Sequence, residues 1–443
     1  MRKSSFQRYQ NRKLPFIYGL IDLLIPALTL SAIHFCLTPQ KWSKAYCYLA
    51  LLSGIFFLLG TAFQGGYSRY NERSISKKLE ITFKTWFFNV FLLLTITYFY
   101  LVTLKFDRVI MTTWVISTPI IVLVLKILVN DITRKISKKK IQVAVLGENY
   151  HFNEHEHNTL KNQSIELTYI SVDDIKQIQD KVLQLSPDYL LLNLEGPANT
   201  QLIKDLTHLN VKGIRVIELF HFMEAFLRKC YIPYNEQDLS YLDSVRSYNT
   251  PSYCLKRLID YCAVITLGIL TAPVLCWAAL KIRKESPGPI IFSQPRISIE
   301  NEEKTIYKFR SMHIDAEANG AQFATEDDPR AYNFGAFMRK TRIDELPQLW
   351  NVAKGDLHFI GPRPERKIFT TQLEEEIPYY HERHLVRPGI SGWAQVLYPY
   401  GANTEDSRQK LMYDLYYIKH WSIWLEMETL IRTIGVVLGK KGL

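Results

Sequence analysis

Apolar residues in this chain gather into blocks. Four runs fill the first third, about Leu14–Cys36, Tyr46–Phe63, Trp86–Leu104 and Val109–Val129. Each comes close to the roughly 20 residues that a helix needs to cross a bilayer. The first has no small-residue cleavage site, so it reads as a span and not as a removable leader. Cations sort the connections. Arg2, Lys3, Arg8, Arg12 and Lys13 precede the first run, and Arg69, Arg73, Lys77, Lys78 and Lys84 lie between the second and third. Arg134, Lys135, Lys138, Lys139 and Lys140 follow the fourth, while the other two connections are short and poor in cations. Cationic loops stay on the cytoplasmic side, so residues 1–135 are expected to form a four-helix membrane bundle with both ends in the cytoplasm.

The rhythm then changes. Over residues 136–250 short apolar runs alternate with amphipathic stretches, as in a parallel α/β domain. Ile141–Gly147, Tyr189–Leu194 and Ile214–Leu219 predict buried strands, and Asp174–Leu185 a helix between them. This is Rossmann-like, but Glu148-Asn149-Tyr150 follows Gly147 where a Gly-x-Gly-x-x-Gly turn would be needed, so no dinucleotide site is expected. His151, His155 and His157 have no further ligand group beside them and are expected in a solvated polar loop.

A fifth apolar run, Leu258–Leu280, is interrupted by Pro273, which removes a backbone donor. Lys256 and Arg257 precede it; Lys281, Arg283 and Lys284 follow it. Both ends therefore prefer the same face, which a re-entrant helix bending at Ala272-Pro273 satisfies. The alternative is a straight span with a tolerated proline, which would put everything after Gly288 outside the cell.

The 443 residues carry a formal net charge of +11 and are 47% hydrophobic. With apolar blocks this long, that balance points to an anionic membrane surface or anionic substrate and away from nucleic acid. The six cysteines lie mostly in or beside apolar stretches without a Cys-x-x-Cys pair, as expected of buried thiols in a reducing compartment and not of disulfides or zinc ligands.

Candidate chemistry lies in residues 251–443. Asp344 and Glu345 sit between the cations Arg339, Lys340 and Arg342 and a helix-opening Pro347. Carboxylates among arginines near a helix start suit work on phosphates. Arg363 stands in Gly361-Pro362-Arg363-Pro364, and Arg387 precedes Pro388-Gly389 and Gly392-Trp393. Glycine and proline fix the backbone while a guanidinium fork grips phosphate oxygens. The C-terminal stretch Tyr413–Leu438, with Trp421 and Trp424, reads either as an amphipathic helix on the membrane surface or as a core helix.

Lys256-Arg257 with Asp260, Lys308 to Met312, Asp344 to Gln348, Gly361 to Pro364, and Arg387 to Gln395 together resemble the bacterial sugar transferase family. These are polyprenyl-phosphate hexose-1-phosphate transferases with a monotopic catalytic core. The four spans and the α/β segment resemble its large multi-domain members. Glu365-Arg366, Tyr398–Ala402 and Tyr413–Lys419 look most like its exopolysaccharide branch. Arg342 departs from the serine often found at that place, so sugar choice is not carried over.

The resemblance implies a bacterial inner-membrane enzyme with its catalytic domain facing the cytoplasm. It would be mainly α, carry a re-entrant helix, and start exopolysaccharide, capsule or O-antigen repeat units. A hexose 1-phosphate would pass from a UDP-sugar to undecaprenyl phosphate in the lipid bilayer, with release of UMP. Asp344 would be the nucleophile, giving an aspartyl-phosphosugar, and Glu345 would hold Mg²⁺. Lys308, Arg310, Arg339, Arg363 and Arg387 would bind substrate phosphates. A homodimer and a regulatory α/β domain are also within what the resemblance admits. Two rivals stand against it: a glycosyltransferase that releases UDP, and a non-enzymatic scaffold of polysaccharide assembly.

Overall fold

A computed structural model describes residues 3–38, 44–67, 74–100, 106–137, 140–170, 175–194, 200–233, 250–316, 328–398 and 403–438. Leu104, Asp174, Pro399–Ala402 and the cations Arg2, Arg69, Arg73, Lys138 and Lys139 lie outside these residues. Residues 1–139 and 140–443 form two compact units.

The first unit contains α1 (Lys3–Leu37), α2 (Lys44–Phe63), α3 (Ile75–Tyr100) and α4 (Arg108–Ser137). All four hold stretches long and apolar enough to cross a membrane. Helix α1 packs on α2 and α4, and α3 packs on the same two. Outward-facing Phe35, Leu51, Phe87 and Ile116 leave the outer surface apolar, as hydrocarbon requires. Several polar groups turn inward onto partners. Trp114 donates to the Pro26 carbonyl at 2.8 Å and Trp86 to that of Val115 at 2.8 Å. Lys126 pairs with Asp22 at 2.6 Å, and Tyr67 donates to the same carboxylate at 2.7 Å. A charge inside such a bundle persists only when paired in this way.

The second unit opens with β1 (Ile141–Leu146), α5 (Glu154–Asn162), β2 (Ile165–Ile170), α6 (Ile175–Leu185), β3 (Tyr189–Leu192), α7 (Thr200–Val211), β4 (Arg215–Glu218) and α8 (Leu219–Phe222). The four strands form one parallel sheet in the order β2-β1-β3-β4. The edge strand β2 was not anticipated, although Ile165–Ile170 contains three β-branched residues. The expected polar loop around the histidines needs correction: His155 and His157 lie on α5, where Asn153 and Glu156 form a reciprocal capping box. The His155 ring meets the Leu397 carbonyl at 3.0 Å. A π-turn, Met223–Leu227, ends at Arg228 in the left-handed conformation.

Helix α9 (Thr250–Glu285) follows, then the antiparallel pair β5 (Ile291–Ile297) and β6 (Glu303–Phe309). Next come α10 (Asn333–Thr341), α11 (Gln348–Lys354), β7 (His358–Ile360), α12 (Lys367–Glu376), β8 (Gly389–Ser391) and α13 (Trp393–Leu397). Last are α14 (Thr404–Lys419) and α15 (Ile423–Leu438). The expected C-terminal stretch is thus two helices. Helix α14 is largely buried, while α15 keeps an exposed apolar edge at Ile431, Ile434 and Val437.

A single hydrophobic cluster joins the α/β segment to this region. Val143, Val145 and Met223 pack in it with Ile360, Trp393 and Met412. Ala144, Leu146, Val182 and Leu190 pack in a second cluster that belongs to the α/β segment alone.

Helix α9 is helical throughout, Pro273 included. Its apolar middle is scarcely buried, but both ends are anchored in this one unit. Near its start, Lys256 donates to the Ile360 carbonyl at 2.6 Å. Near its end, Ala278 and Ile282 pack against Phe309, Phe334 and Met338.

Candidate active site

Helix α10 stops at Arg342, whose φ of 59° is left-handed, a position more often given to glycine or asparagine. The reversal leads into a 3-10 turn, Ile343–Glu345, that turns both carboxylates inward. Asp344 is 8% exposed and Glu345 7%.

Three cations converge on Glu345 Oε1. Arg363 NH2 lies at 3.0 Å, Lys308 Nζ at 3.1 Å and Arg342 NH1 at 3.6 Å. Lys308 is delivered by β6, which α11 pins in place: Asn351 donates to the Thr305 carbonyl at 2.7 Å and accepts from the Tyr307 N–H at 3.0 Å. Arg363 follows β7, which pairs in parallel with β8. Gly361 donates to the Ser391 carbonyl at 2.8 Å and Gly389 to the Pro362 carbonyl at 2.8 Å. A Cβ on Gly361 would sit 2.8 Å from the Arg387 carbonyl, so the close backbone approach requires glycine there.

The two neighbouring acids are driven apart. Burial raises Asp344, with help from the Glu345 charge, to a pKa of about 6. Burial also opposes ionisation of Glu345, but Lys308, Arg363 and Arg342 outweigh it and hold that carboxyl well below the usual range. Lys308 is pushed down by burial, which Glu345 only partly offsets. Asp344 Oδ1 is buried and has no hydrogen-bond partner. An ionised oxygen left without a donor is costly, so this arrangement suits an atom that meets a ligand.

Asp344, Glu345, Lys308 and Arg363 are thus brought together, and Arg342 joins them. The other three expected phosphate ligands make contacts elsewhere. Arg310 donates to the carbonyls of Ser286 and Pro287 just past α9, and its own carbonyl accepts from Tyr332. Arg339 lies 3.8 Å from Asp328. Arg387 donates to the Tyr253 hydroxyl and stacks over that ring, 5.3 Å from its centroid.

A supporting network carried no role in the sequence reading. Asp260 accepts from His358 Nδ1 at 2.6 Å and from the Phe359 N–H at 2.8 Å. Burial lowers His358 to about 4, so its imidazole is neutral. Lys256 pairs with Glu426, and both touch the Tyr417 hydroxyl. The signal was available: a lysine and an aspartate one turn apart, entering an apolar run, demand buried partners.

Magnesium favours oxygen donors and is commonly held by one or two carboxylates plus substrate phosphates. Adjacent carboxylates with one unpartnered buried oxygen fit that requirement. Among the described residues no group of three or more acidic, histidine or cysteine side chains forms a fuller cage.

Residues 251–440 match the model of the family described as bacterial sugar transferase. A 186-residue match, 36% identical, covers 93% of the exopolysaccharide production protein PSS of Rhizobium leguminosarum bv. phaseoli and 41% of this chain. The chain belongs to the bacterial sugar transferase family.

Two other members of the family are similar over the same extent of chain. The UDP-N-acetylgalactosamine-undecaprenyl-phosphate N-acetylgalactosaminephosphotransferase of Aeromonas hydrophila is 47% identical over 190 residues, 43% of this chain and 45% of that protein. The UDP-glucose:undecaprenyl-phosphate glucose-1-phosphate transferase of Escherichia coli K12 is 35% identical over 204 residues, 45% and 44% of the two chains. The similarity to these two spans less than half of their length.

Proposed function

We propose that this member of the family transfers a hexose or N-acetylhexosamine 1-phosphate from a UDP-sugar to undecaprenyl phosphate, starting a polysaccharide repeat unit. The observation that carries this reading is the unpartnered, buried Asp344 oxygen beside a carboxylate clamped by Lys308 and Arg363.

In the first half-reaction Asp344 attacks the phosphorus that bears the sugar. The bond from that phosphorus to the bridging oxygen breaks, and UMP leaves with the electron pair. In the second, an oxygen of the lipid phosphate attacks the same phosphorus and releases Asp344 as carboxylate. Negative charge gathers on the phosphoryl oxygens in both steps, and Lys308, Arg363 and Arg342, gathered at Glu345, would offset it. When bound by Glu345, Mg²⁺ would add charge neutralisation at the diphosphate.

Anchoring of both ends of α9 in one catalytic unit supports the re-entrant reading, with the site on the inner face of a bacterial cytoplasmic membrane. A helix that crossed completely would separate its two ends by the bilayer. The exposed apolar edge of α15 agrees with a surface seated on lipid. The test is to supply a panel of UDP-sugars with undecaprenyl phosphate and Mg²⁺ and identify the nucleotide product. UMP is expected. UDP would move the protein to another class of glycosyltransferase.

A further inference from the structure

Helix α14 is gripped along its length by the end of the α/β segment. Gln409 donates to the Tyr150 hydroxyl at 3.0 Å and accepts from Lys229, whose ammonium also pairs with Glu156. Neither Lys229 nor Glu156 exposes any of its side chain. The Cys230 N–H donates to the Met412 carbonyl at 2.8 Å. At the end of the helix, Lys419 pairs with Glu224 at 2.7 Å.

The socket for this contact is the place where an α/β sheet ordinarily takes a ligand. The strand order β2-β1-β3-β4 reverses between β1 and β3, and such sheets bind ligands beyond the carboxyl ends of the strands at that point. Here the chain fills the crevice itself. Gly147, with φ at +93°, brings its backbone against the Asn193 carbonyl so closely that no side chain fits. The Asn193 amide accepts from the Tyr150 N–H at 2.9 Å and donates to the Tyr150 carbonyl at 2.8 Å. Tyr150 in turn donates to Glu156 at 2.6 Å, and that carboxylate leads through Lys229 to Gln409.

Helix α14 also reaches the active site. Asp414 accepts from Arg383 NH2 at 3.0 Å, and the same nitrogen donates to the main-chain carbonyl of Arg363 at 2.9 Å. Tyr380 accepts from the other arm of Arg383 at 2.5 Å. The guanidinium of Arg383 therefore ties α14 to the backbone that aims Arg363 at Glu345.

We propose that the α/β domain is a positioning device for the phosphate clamp: its ligand crevice has become a socket for α14, and α14 holds Arg363 through Asp414 and Arg383. The proposal rests on the transferase reading of the Asp344 site. The 93% coverage of the Rhizobium relative by 186 residues leaves that protein too short for a counterpart of this domain. The device is thus an addition around the shared chemistry.

The experiment uses the full-length chain, with UMP release measured while the UDP-sugar is varied at saturating undecaprenyl phosphate. Asp414→Asn and Gln409→Leu are each expected to lower kcat/KM for the donor by about tenfold to a hundredfold, the scale set by a misplaced reactive geometry. In an Arg363→Ala background the same substitutions should cost less than about threefold, because the group they position is gone. Losses that multiply in full in that background overturn the proposal. Glu224→Gln, at the edge of the socket, is a milder variant for the case where the buried changes unfold the protein, and the same non-additivity is expected of it. If Arg363→Ala alone keeps wild-type kcat/KM, the assignment of the clamp has failed and the proposal falls with it. If the single variants lose activity while Arg363→Ala remains the background that absorbs the loss, both stand.

Discussion

Asp344 and Glu345 are adjacent in sequence, equally buried, and opposite in electrostatic surroundings. Glu345 meets Arg363 at 3.0 Å and Lys308 at 3.1 Å, whereas Asp344 keeps one enclosed oxygen without a partner. The 3-10 turn makes this possible by directing consecutive side chains to different neighbours. Two carboxylates so close do not ionise independently, and the cations decide which one holds charge more readily.

That split predicts a pH profile. Asp344, with its pKa raised to about 6, is protonated and non-nucleophilic below that value. Above it the carboxylate is available for the proposed attack. The kcat/KM for the donor should therefore fall about tenfold per pH unit below an acid limb near 6 and flatten above it. Asp344→Asn should abolish both turnover and the trapping of labelled sugar phosphate on the protein. An active Asn variant would remove Asp344 from its role.

Glu345→Gln keeps the shape but withdraws the charge that gathers Lys308, Arg363 and Arg342. Misplacing these cations is expected to lower kcat by about 10²–10³, the scale of losing one preorganised donor to the transition state. Removal of Mg²⁺ by chelation should lower activity in the wild type far more than in this variant. Equal chelator sensitivity in both proteins would separate Glu345 from the metal.

The buried network at the start of α9 predicts a stability effect distinct from chemistry. Lys256→Met leaves Glu426 enclosed with its charge uncompensated, a change that costs about 3–5 kcal/mol. Lys256→Met with Glu426→Gln should recover much of the loss, since both charges are then absent. Thermal unfolding of the two proteins in one detergent measures the difference. Equal destabilisation would show that the pair acts independently.

Legibility of the sequence followed the kind of force involved. Apolar length and cation placement mark α1 to α4 locally, and the short apolar runs Ile141–Gly147, Tyr189–Leu194 and Ile214–Leu219 mark β1, β3 and β4. Asp344, Glu345, Lys308 and Arg363 could be singled out because their motifs resemble those of the bacterial sugar transferase family, and the fold brings the four together. Arg310, Arg339 and Arg387 stand in or beside the same motifs, and only tertiary contacts reveal that their guanidinium groups meet carbonyls, an aspartate and a tyrosine. The joining of Val143 and Met412 in one core was equally hidden, since it depends on residues 269 positions apart that no local pattern connects.

Glycine at 361 and 389 makes the last prediction. The two residues exchange close backbone contacts across β7 and β8, and Gly389→Ala would force its methyl group into the main chain at Gly361. Overpacking of this sort costs about 1–3 kcal/mol and shifts the backbone. Because Arg363 lies two residues past Gly361, the shift moves the clamp as well as loosening the fold. Gly389→Ala should therefore lower kcat/KM for the UDP-sugar more than a core substitution of equal destabilisation in the first unit, such as Val122→Ala on α4. Matched activity in two equally destabilised variants would assign the glycine to packing alone.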